Sequence, residues 1–286
     1  MTRSDLAAVA TRFHEMHRTG RLLLPNAWDA ASARIFEDAG FPAVATTSAG
    51  IAWARGLPDG EHIARDAMIG EIASIAAAVG CPVTADVEAG YGAAPVDVAT
   101  TVEAVVDAGA VGINLEDSGA GRDGNPLFAV ADQAGRVAAA REAAERRGVP
   151  ILINARTDTF LLALGGDLQE RMAMTVERGR AYLAAGADVV FVPGLLDSGI
   201  VQELAGAIAG PISLLTGPGA PPADVLFSAG ACRVSLGSSA MLATLGGLRA
   251  LAHELRERGA FTQGEGVALS YRDGQALFAN RTRRAR

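Results

Sequence analysis

The chain has 286 residues, half of them hydrophobic and one fifth charged, with a formal net charge of −7. Such a composition can fill a barrel-sized core, and its acidic balance argues against a nucleic-acid or anionic-membrane partner. There is no lysine, all 25 basic residues being arginine, which excludes Schiff-base aldolases, pyridoxal-phosphate enzymes and P-loop nucleotidases, each of which needs a lysine amine.

An amphipathic stretch at residues 4–19 predicts an opening helix, with His14 and His17 expected at its surface. Short apolar runs follow at 21–25, 43–47, 82–86, 112–116, 150–154, 188–192, 211–215 and 232–236, separated by Ala-rich stretches. That alternation is the pattern of parallel βα units. Glycines 40, 80, 109 and 186 stand where a helix would end in a left-handed cap before the next strand. The fold expected is therefore α/β, a (β/α)8 TIM barrel with an N-terminal helix and an extra C-terminal helix, forming a single catalytic domain over 1–286. The eighth helix is expected at 239–258, and 262–280 adds a helix for oligomer contact or for packing on its own barrel.

Cys81 and Cys232 fall at the starts of strands three and eight, too few for a disulfide framework, and read as buried structural thiols. The first residues carry no signal-peptide core and no apolar run has membrane-span length, so a cytoplasmic setting is expected. The Arg-rich stretch 281–286 reads as a solvated chain end.

Barrel active sites form where strands end. The polar residues there are Asn26, Thr47, Ser48, Asp86 with Glu88, Glu116, and Asn154 with Arg156. Carboxylates delivered to one mouth by separate strands repel one another unless a cation sits between them. Oxygen-only ligands point to Mg²⁺, with Mn²⁺ possible, over zinc. Asp86 and Glu88 are two apart in an extended run, which predicts that both project to one side. Gly90-Tyr91-Gly92 supplies a tight turn over the site. Arg156 can grip a carboxylate or phosphonate bidentately, or pair internally with Asp158 or Glu116. His62 near the second strand end, and His253 on a late helix, do not make a zinc set. Tyr91, Trp28 and Trp53 either line the pocket or pack around its mouth. Residues 216–222 lack the donors of a phosphate cradle and read as a rigid turn, whereas the polar loop 117–126 is a lid candidate.

These residues resemble the isocitrate lyase/phosphoenolpyruvate mutase superfamily over most of the chain, from 24–29 to 233–237. The most specific pieces are 55–59, 86–92, 112–118 and 153–158. The resemblance implies that Asp86 binds Mg²⁺ directly and that Asp59, Glu88 and Glu116 hold its water ligands. It implies an oxyanion hole for a pyruvyl enolate at the backbone of Thr47, Ser48 and Ala49. Arg156, with Asn154 beside it, would bind the carboxylate or the transferred group of a small 2-oxo acid. It also implies a homo-oligomer, tetramer or dimer, with a C-terminal helix exchanged between neighbours. The C–C lyases of the superfamily place a catalytic Cys beside a Lys in the loop after the fourth strand, and residues 117–126 hold neither. Asn125 stands as the counterpart of the Asn in the phosphonate-handling members, and Arg122 as a positive charge in place of the Lys.

The leading expectation is a Mg²⁺-dependent lyase that cleaves or forms a C–C bond next to a 2-oxo carboxylate. The alternatives are a P–C mutase or hydrolase acting on phosphonopyruvate or phosphoenolpyruvate, and a non-catalytic metal- and metabolite-binding barrel. A phosphate-binding barrel synthase is a further class, disfavoured by residues 216–222.

Overall fold

Aliphatic and β-branched runs become strands, and the Ala-rich stretches between them become helices, in a computed structural model that describes residues 2–118, 125–195, 197–262, 264–266 and 268–279. The strands are β1 (Leu22–Leu24), β2 (Asn26–Ala27), β3 (Val44–Thr46), β4 (Val83–Asp86), β5 (Gly112–Glu116), β6 (Leu152–Arg156), β7 (Val189–Phe191), β8 (Ile212–Leu215) and β9 (Ala231–Ser235). The helices are α1 (Arg3–Arg18), α2 (Ala30–Asp38), α3 (Ser48–Ala54), α4 (Arg65–Ala78), α5 (Pro95–Asp107), α6 (Val130–Arg146), α7 (Leu168–Ala184), α8 (Ser198–Ile208), α9 (Ala223–Ser228), α10 (Ser239–Arg258) and α11 (Tyr271–Ala279).

All the strands run parallel in one sheet of order β1-β9-β8-β7-β6-β5-β4-β3-β2. Leu24 lies opposite Ser235 and Asn26 opposite Ala45, so the two ends of that order meet in the first segment of the barrel. β1 and β2 are the two halves of the first expected strand. Pro25 divides them because it has no N–H to give to the ladder, although its carbonyl accepts the Ala45 N–H at 2.9 Å. The (β/α)8 expectation is borne out with that one interruption.

The apolar core lies between the strands and the helices, with Ile72, Ile75, Val102, Val105, Val137 and Ile151 fully buried. Inside the barrel the filling is polar where branched aliphatics are usual. Thr84, Asn114, Asn154, Ser213 and Arg233 are all buried. Asn114 Oδ1 accepts from Asn154 Nδ2 at 2.7 Å and from Arg233 Nη2 at 3.3 Å. At Gly112 a Cβ would lie 2.7 Å from Thr84 Oγ1 and 3.0 Å from Phe13 Cε1. Glycine there lets α1 press against the strands.

α1 corrects one expectation. His17 is buried, its ring edge-on to Phe13 at 4.7 Å, and Nδ1 donates to the Phe13 carbonyl at 2.9 Å. Positions 13 and 17 share one face of the helix, and that face packs on the barrel. Burial, followed by the Arg233 charge, drives the His17 pKa down from 6.5 to about 3. The unfolded chain then binds the proton more readily, so this contribution to stability is complete above about pH 6.5 and is lost as the pH falls. In denaturant titrations from about pH 6.5 to pH 4.5, His17→Leu is expected to flatten the pH slope by up to about 1.4 kcal/mol per pH unit. Equal slopes in the two proteins would contradict the burial argument.

Cys81 is half-buried and Cys232 buried, both free, with burial pushing each thiol up to about 11. The eighth helix matches its expected span, but the C-terminal helix begins at Tyr271, well after residue 262. Gly264 and Gly266 disfavour helix in the intervening stretch. α11 lies against α2, where Arg34 Nη2 donates to the Leu277 carbonyl at 2.8 Å. Along α10 the side chains of Leu242, Leu245, Leu248 and Leu255 are exposed. Among the described residues no helix is long and apolar enough to cross a membrane.

Candidate active site

Asp86 ends β4 and is held from two sides. Its N–H donates to Thr46 Oγ1 at 2.8 Å, and its Oδ2 accepts the Ser48 N–H at 3.1 Å and the Ser48 hydroxyl at 2.8 Å. Thr47 caps α3, its Oγ1 accepting from Gly50 N–H at 3.3 Å. A Cβ at Gly50 would sit 2.7 Å from Thr47 Cγ2 and 3.0 Å from Trp28 Cβ, so glycine allows this turn to lie flat on the strand ends. Asp59, Asp86, Ser48, Ala49, Asn114 and Arg156 line one cavity of about 170 Å³ at the C-terminal ends of the strands.

Glu88 and Glu116 stand behind this wall. Glu88 does not continue the strand: its φ is +51°, so the two-residue alternation expected from Asp86 ends at that point. Its carboxylate is buried and accepts from the Glu61 N–H and, at 3.4 Å, from the Tyr91 hydroxyl. Glu61 in turn accepts the Tyr91 N–H at 2.8 Å. Glu61 and Tyr91 also have positive φ, at 58° and 62°, which concentrates backbone strain at this mouth. Burial first, and then the Asp86 charge, raise Glu88 to about 8 and also raise Asp59. Burial likewise raises Glu116 to about 7 against the pull of Arg156.

Arg156 Nη1 pairs with Glu116 Oε2 at 2.9 Å. Its Nε and Nη2 take the two oxygens of Asp158 at 2.6 and 3.0 Å. Asp158 is itself oriented by its N–H, which donates to Asp117 Oδ1 at 3.0 Å. Asp117 is fully buried, and its Oδ2 accepts from Tyr182 at 2.7 Å and from Arg178 at 3.0 Å. Arg178 also donates to the Phe128 carbonyl at 3.0 Å, and Phe128 N–H donates to the Asp117 carbonyl at 2.8 Å. One buried carboxylate thus ties α7, the base of the loop after β5 and the Asp158 that orients Arg156. Arg136 anchors the neighbouring loop, donating to the Gly92 and Ala93 carbonyls at 2.7 Å and stacking on Phe128.

The expected residues divide. Thr47, Ser48, Ala49, Asp59, Asp86 and Arg156 come together on the cavity. Asn154 does not line it, being fully buried in the lumen, whereas Asn114 does line it. Asn125 is exposed and is not among the lining residues. Arg122 and residues 281–286 lie outside the described residues. The Thr47 N–H donates to the Ala27 carbonyl at 3.0 Å and that of Ser48 to Asp86, so Ala49 supplies the N–H of this turn that has no intrahelical acceptor. His62 is exposed. Sequence reasoning missed Leu161, Phe191, Pro193 and Leu215, which line the cavity together with Asn26, Ser235, Gly237 and Ser238. The only signal of those first four was position, at or just past the ends of β6, β7 and β8.

The donors fit a hard cation. Both protein donors to the Asp86 carboxylate take Oδ2 among the described residues, leaving Oδ1 with its lone pairs. The neighbouring acids are raised partly by mutual repulsion, which a divalent cation would relieve. Among the described residues no three Asp, Glu, His or Cys side chains converge as a direct cage. Mg²⁺ suits such a set, since it is usually held by one or two carboxylates and keeps several waters.

Residues 13–256 match the family model described as phosphoenolpyruvate phosphomutase. An uncharacterised protein of Mycobacterium tuberculosis (strain ATCC 25618 / H37Rv) is 37% identical over 276 residues, covering 94% of this chain and 98% of its own. The crystal structure of a candidate lyase/mutase from Burkholderia cenocepacia J2315 superposes with a TM-score of 0.88, at 39% identity over 96% of both chains. The 2-methylisocitrate lyase of Escherichia coli (strain K12) is 30% identical over 188 residues, 64% of this chain and 61% of that enzyme.

Proposed function

The chain belongs to the phosphoenolpyruvate phosphomutase family, within the isocitrate lyase/PEP mutase superfamily, and from that premise we propose that it is a Mg²⁺-dependent lyase. It cleaves or forms a C–C bond next to a 2-oxo carboxylate. The observation that carries this reading is Asp86, pinned through one oxygen by Ser48 and sharing a cavity with Asp59 and Arg156. Asp86 would hold the ion directly, with Asp59, Glu88 and Glu116 reaching it through water. When bound, Mg²⁺ supplies Lewis-acid polarisation of the 2-oxo and carboxylate oxygens.

The remaining work falls to the chain. Arg156 has two N–H groups beyond the three bonds it makes to Glu116 and Asp158, enough for one carboxylate edge. The Ala49 N–H stabilises oxygen charge as the enolate develops. Cleavage leaves the electron pair of the broken bond on the pyruvyl half as an enolate while the other carbon departs as CO2 or a carbonyl compound, and protonation of the enolate at its methylene carbon gives pyruvate. The P–C alternative rests on Asn125, which does not line the cavity.

The test uses the whole chain with Mg²⁺. Oxalate, which mimics the enolate, is expected to bind in calorimetry, and pyruvate is expected to be released from a 2-oxo acid. Release from phosphonopyruvate alone would transfer the assignment to P–C chemistry. Oxalate binding without turnover of any 2-oxo acid would leave a non-catalytic binding barrel. We also propose a cytoplasmic homo-oligomer, tetramer or dimer, in which a second copy covers the exposed leucines of α10.

A further inference from the structure

Resting on the 2-oxo acid reading above, we infer that Asn114 is a further substrate-binding residue and that the buried Arg233 positions it. The Asn114 amide N–H donates to an oxygen of the 2-oxo carboxylate unit, and Arg233 fixes the amide that way round.

Asn114 stands in register with Asp86 on one side and with Asn154 on the other. It therefore reaches the cavity floor between Asp86 and β6, the strand that ends in Arg156. Its Oδ1 is turned inward, accepting from Asn154 Nδ2 at 2.7 Å and from Arg233 Nη2 at 3.3 Å. Among the described residues Nδ2 has no acceptor, and the little of Asn114 that is exposed opens on the cavity. An amide nitrogen at that point meets an oxygen of the group that Arg156 and an ion on Asp86 would hold.

An asparagine pair alone does not fix this orientation. If both amides turned over, Asn114 Nδ2 would donate to Asn154 Oδ1, which has no partner among the described residues, and the bond between them would be kept. Arg233 breaks the tie, because a guanidinium only donates and the atom facing it must be Oδ1. Accepting from a cation also polarises the amide and strengthens its N–H as a donor. Stability does not explain Arg233. It is fully buried, and among the described residues its Nε and Nη1 have no partner and no carboxylate pairs with it. Burial lowers its pKa to about 10, which leaves it charged at neutral pH. A charge buried without a counter-ion weakens a fold, so its use lies in what it does to Asn114.

The experiment measures Mg²⁺ alone, and then oxalate with Mg²⁺, by calorimetry on the full chain and on Asn114→Asp and Arg233→Met. Asn114→Asp keeps the shape and an oxygen for Arg233 but offers the ligand an acceptor where it had a donor. It is expected to weaken oxalate about tenfold or more while Mg²⁺ alone binds no more weakly than in the parent, since the added charge attracts a cation. Should that variant not fold, Asn114→Ser, too short to reach the ligand, is expected to show the same split. Arg233→Met replaces an unpaired buried charge by an apolar chain of similar length and is expected to melt no lower than the parent in EDTA. It should still weaken oxalate about threefold, twofold of that from an amide free to take either orientation. Undiminished oxalate affinity in the Asn114 variant, or loss of its Mg²⁺ binding, would overturn the inference. So would an Arg233→Met that melts lower or binds oxalate as the parent does. In each of those cases the parent still binds oxalate and the enolate reading stands, whereas a parent that does not bind oxalate defeats both.

Discussion

Replacing Asp86 with alanine is expected to lower turnover by about three orders of magnitude or more while the barrel stays folded. A Lewis-acid site supplies several kcal/mol to the transition state, and each 1.36 kcal/mol is about tenfold in rate. Ser48 holds the Asp86 carboxylate in one orientation, and the Asp86 N–H donates to the Thr46 hydroxyl. Asp59→Asn and Glu88→Gln, which would perturb water-mediated contacts, are expected to cost about 10–100-fold. The sign of the stability change separates this from simple damage. Asp86 raises both Asp59 and Glu88 through repulsion, so without metal its loss relieves strain. Asp86→Ala should therefore melt no lower than the parent in EDTA and should lose the rise in Tm that Mg²⁺ gives the parent. Undiminished oxalate affinity in the variant, measured with Mg²⁺, would remove Asp86 from the metal site.

The barrel was legible because its signal is periodic. Runs such as 112–116 and 150–154 stand between helices that glycine stops, and a closed parallel sheet is the architecture that buries eight of them. The carboxylates were legible for the same reason, since a strand end fixes where Asp86 and Glu116 emerge. What failed depended on backbone geometry or on a partner distant in sequence. Glu88 follows Asp86 by two, but its positive φ turns it away from the strand alternation towards Glu61. Asn154 and Asn114 lie opposite each other in register, and nothing in the local sequence says which one reaches the cavity. His17 reads as a polar helix residue until the helix is known to close the barrel. Leu161, Phe191, Pro193 and Leu215 line the same cavity but carry no polar group to draw the eye.

Removal of Arg156 is expected to have the largest combined effect on stability and binding. Arg156→Ala strips the counter-ion from Glu116 and Asp158, both largely buried. Breaking such a pair from one side costs about 3–5 kcal/mol. The cost depends on pH in a direction set by Glu116, whose pKa is already raised from 4.5 to about 7 and rises further without the guanidinium. An acid with a raised folded-state pKa destabilises increasingly as the pH climbs through that range. The deficit of Arg156→Ala should therefore be larger at about pH 8 than at about pH 5.5 in denaturant titrations. Arg156→Lys retains a charge but loses the planar fork that takes both oxygens of Asp158, so it should recover part of the stability and little of the oxalate affinity. Adding Glu116→Gln to Arg156→Ala removes one of the two stranded charges. That double variant is expected to regain stability at about pH 8 with no gain in oxalate binding. Recovery of both together would mean that Arg156 acts only by neutralising Glu116 and does not touch the ligand.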